Sequence, residues 1–287
     1  NAAVTVTGIQ SGATVDYSQT ADDALTLDTV AGATLTVDNK ADVSAATSLT
    51  ITDAATVNIV GKAATSDIWA LVLDAADTTA LNLSTTSTND LDTGAITGTD
   101  KLETITLTTA AHTGVLVVDT IVDGDSVTSL TATGVGGDIT TGALFATGTA
   151  EGLATVTLTA TEGSDISIGA VTADTTDASS TDDNNMTITA SADGTATGGD
   201  VSSVSIAAIS NTDGSLALNF SGDSIVNSTG TDAANSVTVT RSGSGATTIA
   251  AIDSTTTLTA THTGSGAFEI TSFDAEGDVT IDSSGAS

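Results

Sequence analysis

The chain has 287 residues and a formal charge of −32, with 4 Lys and Arg residues against 36 Asp and Glu. Such an acidic surface repels phosphate backbones and anionic lipid headgroups, so nucleic-acid binding is excluded. Cys is absent, which excludes disulfides, thiolate chemistry and Cys-based zinc sites. No apolar run is long enough for a transmembrane segment. Aromatic residues make up 2% of the chain, so the core must be built from small aliphatic side chains.

Short apolar–x–apolar triplets, most with Thr or Ser in the middle, recur along the whole chain. They begin with VTV at 4–6, LTL at 25–27 and LTV at 35–37, and continue to VTV at 237–239 and VTI at 279–281. Alternation with period two predicts strands with one buried face. We therefore expect Leu, Val and Ile to point into a core and Thr to point outward.

The spacing of the triplets predicts how the strands are stacked. One series is separated by 22, 24 and 24 residues and starts at Leu35, Val57, Leu81 and Ile105. A second series runs between them at Leu25, Leu49 and Leu71. Near the C-terminus the period tightens to 21 residues, at Leu216, Val237, Leu258 and Val279, with a companion series at Val204, Ile225, Thr247 and Phe268.

A fixed period of short strands and turns predicts an all-β fold, a parallel β-solenoid (β-helix) with coils of about 21–25 residues. Two strands per coil is the simplest arrangement, and roughly a dozen coils at about 4.8 Å each would give a length on the order of 55–60 Å. The alternative is a β-sandwich or tandem Ig-like domains, which usually rely on longer strands and aromatic core residues.

The most polar and least regular stretch is 174–200, DTTDASSTDDNNMTITASADGTATGGD. It predicts a loop or boundary between a solenoid segment at 1–173 and a second solenoid segment at 201–287. Gly, Ser, Asn and Asp clusters elsewhere in the chain predict the corners of the coils, where tight turns are needed.

Few residues are arranged for catalysis, and we expect no enzyme. His112 and His262 each lie in an HTG sequence 150 residues apart, which favours two equivalent structural corners over a metal site. No G-x-S-x-G elbow accompanies a serine. Asp119, Asp123 and Asp125 in VVDTIVDGDS, at 117–126, are the nearest to a polysaccharide lyase or hydrolase site, but the chain has almost no aromatic or basic residues to hold a sugar.

Acidic corners with nearby Gly predict calcium sites, because Ca²⁺ requires several hard oxygen ligands close together. The surplus of negative charge favours bound cations as well. The candidate Ca²⁺ ligands are Asp119, Asp123, Asp125, Asp138, Asp182, Asp183, Asp200, Asp213 and Asp278. Arg241, in the corner sequence RSGSG, is expected to pair with an acidic corner or with a second subunit.

The LTLT and VTVT phrases, the Ala, Thr, Gly and Asp bias, the low Lys content and the absence of Cys resemble bacterial surface-layer (S-layer) proteins and secreted surface adhesins of the RTX type. GVGGDIT at 134–140 is the stretch nearest to an RTX nonapeptide. The resemblance implies export, Ca²⁺-dependent assembly and a structural role at the cell surface.

The sequence therefore predicts an extracellular structural protein that assembles with its own copies into an S-layer lattice or filament. Open solenoid edges or lateral contacts would join the copies as a homo-oligomer, with Ca²⁺ neutralising the acidic corners. A cell-surface polysaccharide is a further expected partner. The alternative functions are an adhesin or an ice-binding module that presents Thr ladders, followed by a polysaccharide lyase or hydrolase.

Overall fold

A computed structural model describes residues 3–18, 24–40, 48–86, 88–110, 114–122, 126–144, 153–173, 185–194, 201–211, 214–223, 225–228, 230–233 and 235–284. These residues contain strands, turns and bends but no helix, and hence no helix that is long and apolar enough to cross a membrane.

The strands, in chain order, are β1 (Val4–Ile9), β2 (Ala13–Tyr17), β3 (Leu25–Asn39), β4 (Ser48–Gly61), β5 (Asp67–Val72), β6 (Ala80–Thr85), β7 (Leu91–Thr97), β8 (Thr104–Thr109), β9 (Leu116–Ile121), β10 (Ser129–Val135), β11 (Ile139–Thr141), β12 (Thr155–Thr161), β13 (Asp165–Ala173), β14 (Met186–Asp193), β15 (Ser203–Asn211), β16 (Leu216–Gly222), β17 (Ile225–Ser228), β18 (Thr231–Ala233), β19 (Val237–Arg241), β20 (Thr247–Ser254), β21 (Leu258–His262), β22 (Phe268–Ala275) and β23 (Val279–Asp282).

All of these strands join one parallel sheet, in which each strand pairs with strands about one sequence period away. The sheet therefore winds into a β-solenoid of about 10 turns, which confirms the predicted fold class. A β-sandwich is excluded, because its sheets are built from antiparallel strands.

The coils have three walls rather than the two strands predicted for each coil. The first wall is a ladder of paired residues that includes Leu25, Leu49, Leu71, Ile96 and Ile121. The second wall includes Leu35, Val57, Leu81, Ile105 and Leu130. The third wall is short and includes Leu91, Leu116, Ile139, Ile166 and Val204. The two series predicted from the triplet spacing are confirmed as ladders of the first and second walls.

The 21-residue series is also confirmed as a ladder of the second wall, formed by Leu216, Val237, Leu258 and Val279. The companion series was wrong at one position. Val226, and not Ile225, pairs with both Val204 and Thr247 on the third wall. Adjacent apolar residues at 225 and 226 leave the register undecided in the sequence, and a slip of one residue changes which side chain faces the core.

Several strands continue around a corner, and two consecutive outward residues mark the bend. In β13, Ile168 and Val171 are buried on either side of the half-buried Gly169 and Ala170. The change in alternation lets one strand contribute to the third wall and then to the first. The corners are tight, because a Cβ at Gly142 would overlap the carbonyl oxygen of Asp119 in the preceding coil.

Hydroxyl side chains inside some corners bond to backbone groups of the neighbouring coil. The Ser66 hydroxyl donates to the Asn39 carbonyl oxygen at 3.0 Å, and the Thr78 hydroxyl donates to the Ala54 carbonyl oxygen at 2.9 Å. Both residues are fully buried. The expectation that Thr points outward is wrong at Thr78, because a corner interrupts the ladder and leaves a buried carbonyl that needs a donor.

The segment at 174–200 contains β14, which pairs in continuous register with β12 before it and β16 after it. Residues 174–184 and 195–200 lie outside the described residues. The boundary at this place stays a prediction, but the sheet itself runs through β14.

The first and last strands of the sheet pair on one side only among the described residues. β1 and β2 pair with β3, while β22 pairs with β20 and β23 pairs with β21. Apolar side chains on these strands are exposed where the same ladder positions are buried in the interior coils: they are Val4, Val6, Phe273, Val279 and Ile281.

Candidate functional site

The candidate calcium ligands predicted from the sequence do not form one site. Asp119 lies inside β9, where the chain turns from the third wall to the first. Asp138 comes directly before β11 on the third wall, and Asp278 comes directly before β23 on the second. The three residues therefore lie at different corners of the coil. The Asp138 carboxylate accepts a hydrogen bond from the Asp165 N–H at 2.8 Å, and so caps the next coil. The other predicted ligands lie outside the described residues: Asp123, Asp125, Asp182, Asp183, Asp200 and Asp213.

Another acidic cluster lies at the corner between the first and second walls. One carboxylate oxygen from each of Asp53, Asp74 and Asp77 lies within 4.8 Å of the others. Asp28 occupies the same corner one coil earlier. We call these four residues the acidic corner. Sequence reasoning missed it because its members come from separate coils, although Asp28, Asp53 and Asp74 each closely follow a rung of the first wall.

Backbone contacts hold the carboxylates of the acidic corner in place. The Asp53 N–H donates to the Asp74 carboxylate at 3.1 Å, and the second oxygen of Asp74 accepts from the Ala76 N–H at 2.9 Å. The Thr52 hydroxyl donates to the Asp28 carboxylate at 3.1 Å. Asp53 has φ of 63°, a left-handed conformation that Asp and Asn tolerate better than most side chains.

The electrostatics of the acidic corner favour a bound cation. Desolvation raises the pKa of Asp53 above its ordinary value, and a hydrogen bond with Asp28 and the charges of Asp28, Asp77 and Asp74 raise it further. The carboxylates therefore repel one another across the stacked coils. A divalent cation would reverse this repulsion, and carboxylate oxygens are the ligands that Ca²⁺ prefers.

No protein-family profile, curated protein or solved structure matches the chain. The resemblance to surface-layer proteins and RTX-type adhesins stays a prediction, and the function must be argued from the residues of this chain.

Of the residues that the sequence analysis placed in corner sequences, the structure describes His262, at the end of β21, and Arg241, at the end of β19. His262 is buried, with its ring centroid 5.4 Å from that of Phe268. His112 lies outside the described residues. The expected pairing of Arg241 with an acidic corner is wrong, because the alternation of Val237 and Val239 places Arg241 inward as well.

The Arg241 guanidinium is fully buried and bonds to backbone rather than to carboxylates. Nη2 donates to the carbonyl oxygen of Gly222 at 3.1 Å and to that of Gly245. Within the part of the chain that the structure describes, it forms no ion pair. Burial lowers the pKa of Arg241, and the charge of Asp193 acts in the opposite direction. Arg241 therefore belongs to the solenoid interior and not to a surface site.

Proposed function

We propose that this protein is a structural component of a cell surface, which assembles with its own copies into an extracellular layer or filament, and that Ca²⁺ neutralises its acidic corners. The observation that carries the proposal is the acidic corner itself. It places carboxylates from successive coils close together in a chain that carries a charge of −32. Bound cations would allow both the coils and neighbouring molecules to approach.

The assembly would join β1 and β2 of one copy to β22 and β23 of another, where apolar side chains are exposed. If a second copy stacked in the register of the sheet, Phe273 of one copy would lie beside Val4 of the next, because both continue the ladder of the first wall. Head-to-tail contacts of this kind are not closed by symmetry, so they build filaments.

A calcium titration tests the proposal. In about 1 mM Ca²⁺, a concentration typical of extracellular calcium modules, we expect a higher melting temperature by circular dichroism and larger particles by light scattering than in chelator. The Asp74→Asn variant should lose much of the thermal shift. Glu269→Gln removes the same charge from an exposed residue in a distant coil, whose ladder partner is Thr248, and should keep the shift.

Two outcomes would contradict the proposal. Equal melting temperatures and particle sizes in Ca²⁺ and in chelator would remove the calcium part. Monodisperse monomers at every calcium and protein concentration would remove the assembly part. A control with Mg²⁺ at the same concentration distinguishes a calcium site from general screening of charge, because only screening would give the same effect with both cations.

A second function is favoured by the outer face of the second wall, which carries a regular hydroxyl array. Thr106, Thr131, Thr157 and Thr189 pair in line across β8, β10, β12 and β14. A parallel column is formed by Thr108, Thr133, Thr159 and Ser191. The columns repeat at about 4.8 Å between coils. Such a regular array is suited to binding ice.

Thermal hysteresis measures this second function directly. Thr131→Tyr places a bulky ring in the centre of the array and should abolish hysteresis if ice is the ligand. Thr26→Tyr makes the same change on the outer face of the first wall and should leave it intact. An absence of thermal hysteresis in the wild-type protein would exclude ice binding.

A further inference from the structure

A groove on the side of the solenoid contains the single Trp of the chain. Trp69 lies at the corner between the third and first walls and is 62% exposed. Large aromatic side chains are usually well buried, so an exposed Trp in a chain with so few aromatics needs an explanation. The groove beside it is lined by Trp69, Ala70, Ala95 and Asp119.

The register of the coils explains how the groove is formed. Gly94 lies between Thr93 and Ala95, which pair with Ile68 and Ala70 on either side of Trp69. Asp119 occupies the same place in the next coil. Gly94 has no side chain, so an empty slot separates the indole from the carboxylate. Two coil spacings make this slot on the order of 10 Å wide between backbones.

Gly94 cannot be replaced without disturbing the corner, because a Cβ there would overlap the carbonyl oxygen of Trp69. The corner stacking that demands glycine therefore also keeps the slot open. Ala70 and Ala95 form a shallow apolar floor on the side toward the first wall. The slot is wide enough for one planar group lying against the indole.

Carboxylates line the groove that contains Trp69 and a second groove close to it. A second groove on the adjoining third wall is lined in part by Asp67, Asp90 and Asp92. Burial raises the pKa of Asp92, and the nearby charge of Asp119 raises it further. No Lys or Arg lines either of these grooves among the described residues. The electrostatic potential near Trp69 is therefore negative, because no basic side chain described in these grooves balances the carboxylates.

We propose that the groove between Trp69 and Asp119 binds a cationic side chain, a guanidinium or an alkylammonium, from a basic segment of a partner protein. The face of a Trp ring attracts cations more strongly than the other aromatic rings do. A planar guanidinium stacks on the indole while its N–H groups donate to carboxylate oxygens. A neutral sugar also stacks on Trp, and its hydroxyls can donate to carboxylates, but it carries no positive charge to balance the charges of Asp92 and Asp119. This site is separate from the acidic corner and does not depend on calcium.

Trp69 supplies its own fluorescence signal for the test. The probe is N-acetyl-arginine amide, which carries one positive charge, and the control ligand is N-acetyl-citrulline amide, which is neutral and nearly the same shape. We expect a saturable change in Trp69 emission with the arginine probe that weakens as salt is added. The citrulline probe should produce little change.

Matched variants separate a local site from the general charge of the chain. Asp119→Asn and Asp92→Asn should each weaken arginine binding about two- to fivefold, as expected for exposed ion pairs. Asp253→Asn, with the same loss of charge in a distant coil, should bind as the wild type does.

Three results would overturn the proposal. The first is an equal response to arginine and citrulline probes. The second is an equal loss of affinity in Asp253→Asn and Asp119→Asn, which would show attraction to the whole acidic surface. The third is saturation of the Trp69 signal by a neutral β-glucan oligosaccharide without any response to the arginine probe, which would assign the groove to carbohydrate.

Discussion

Gly142→Ala tests whether the corners of the coils are stacked as tightly as the geometry requires. The Gly142 N–H donates to the Val118 carbonyl oxygen at 2.8 Å, and an added Cβ would overlap the carbonyl oxygen of Asp119. Local separation of the coils by on the order of 1 Å would take this bond beyond the ~3.2 Å limit of good N–H···O geometry. Each buried polar group left without a partner costs about 1–3 kcal/mol. We expect the free energy of unfolding to fall by about 2–4 kcal/mol.

Urea unfolding followed by far-ultraviolet circular dichroism measures this change. Gly230→Ala is the matched control, because nothing lies within 4 Å of a Cβ built at Gly230. Its free energy of unfolding should stay within about 0.5 kcal/mol of the wild type. If Gly142→Ala unfolds at the same urea concentration as Gly230→Ala, the corners have room for a side chain, and the close stacking inferred at the third-to-first corner is wrong.

Three further substitutions, one of them with a matched control, test the acidic corner, the core and the buried hydroxyls. The pKa of Asp53 is raised in the folded state, so in chelator its charged form opposes folding at neutral pH, and this penalty is released as pH falls through that pKa. In chelator, Asp53→Asn should therefore raise the melting temperature at pH 7 but not at pH 3. Leu107→Ala, in a fully buried rung, should cost about 2–5 kcal/mol in urea unfolding, whereas the outward Thr106→Ala should cost less than about 0.5. Ser66→Ala removes the hydroxyl that accepts from the Ala63 N–H at 3.0 Å and should cost about 1–3 kcal/mol in the same assay.

The ladders were predictable because one physical rule governs them. Aliphatic residues at Leu35 and Val57 repeat with the period of the coil, and parallel pairing stacks equivalent residues at a constant spacing. The third wall was less predictable in the early coils. There Ile68 is followed by the exposed Trp69, and Thr93 takes the buried position in the next coil, so the apolar alternation is too short to mark a separate wall.

The acidic corner could not be predicted from local runs of sequence. The runs DGD at 123–125 and GGD at 198–200, on which the calcium prediction was partly based, lie outside the described residues, whereas the described cluster joins Asp53 to Asp74 and Asp77 from the following coil. Its distances depend on the stacking of coils and not on neighbours in sequence. The sequence does contain one signal for this cluster, because an Asp follows the first wall in consecutive periods.

Arg241 is a polar residue in the interior of the solenoid, and it distinguishes one coil from the next. A ladder of Leu, Val and Ile is nearly indifferent to a slip by one whole period, because one aliphatic rung replaces another. The guanidinium is not indifferent, since Nη2 donates to Gly245 in its own coil and also to the carbonyl oxygen of Gly222 in the preceding coil, and the second bond depends on the register. His262 lies on the next rung of the ladder and Phe220 on the previous one. A slip by one period would therefore place the charged guanidinium where an aromatic ring now packs. A buried polar rung costs stability and in return specifies register, as single polar residues do in other repetitive folds.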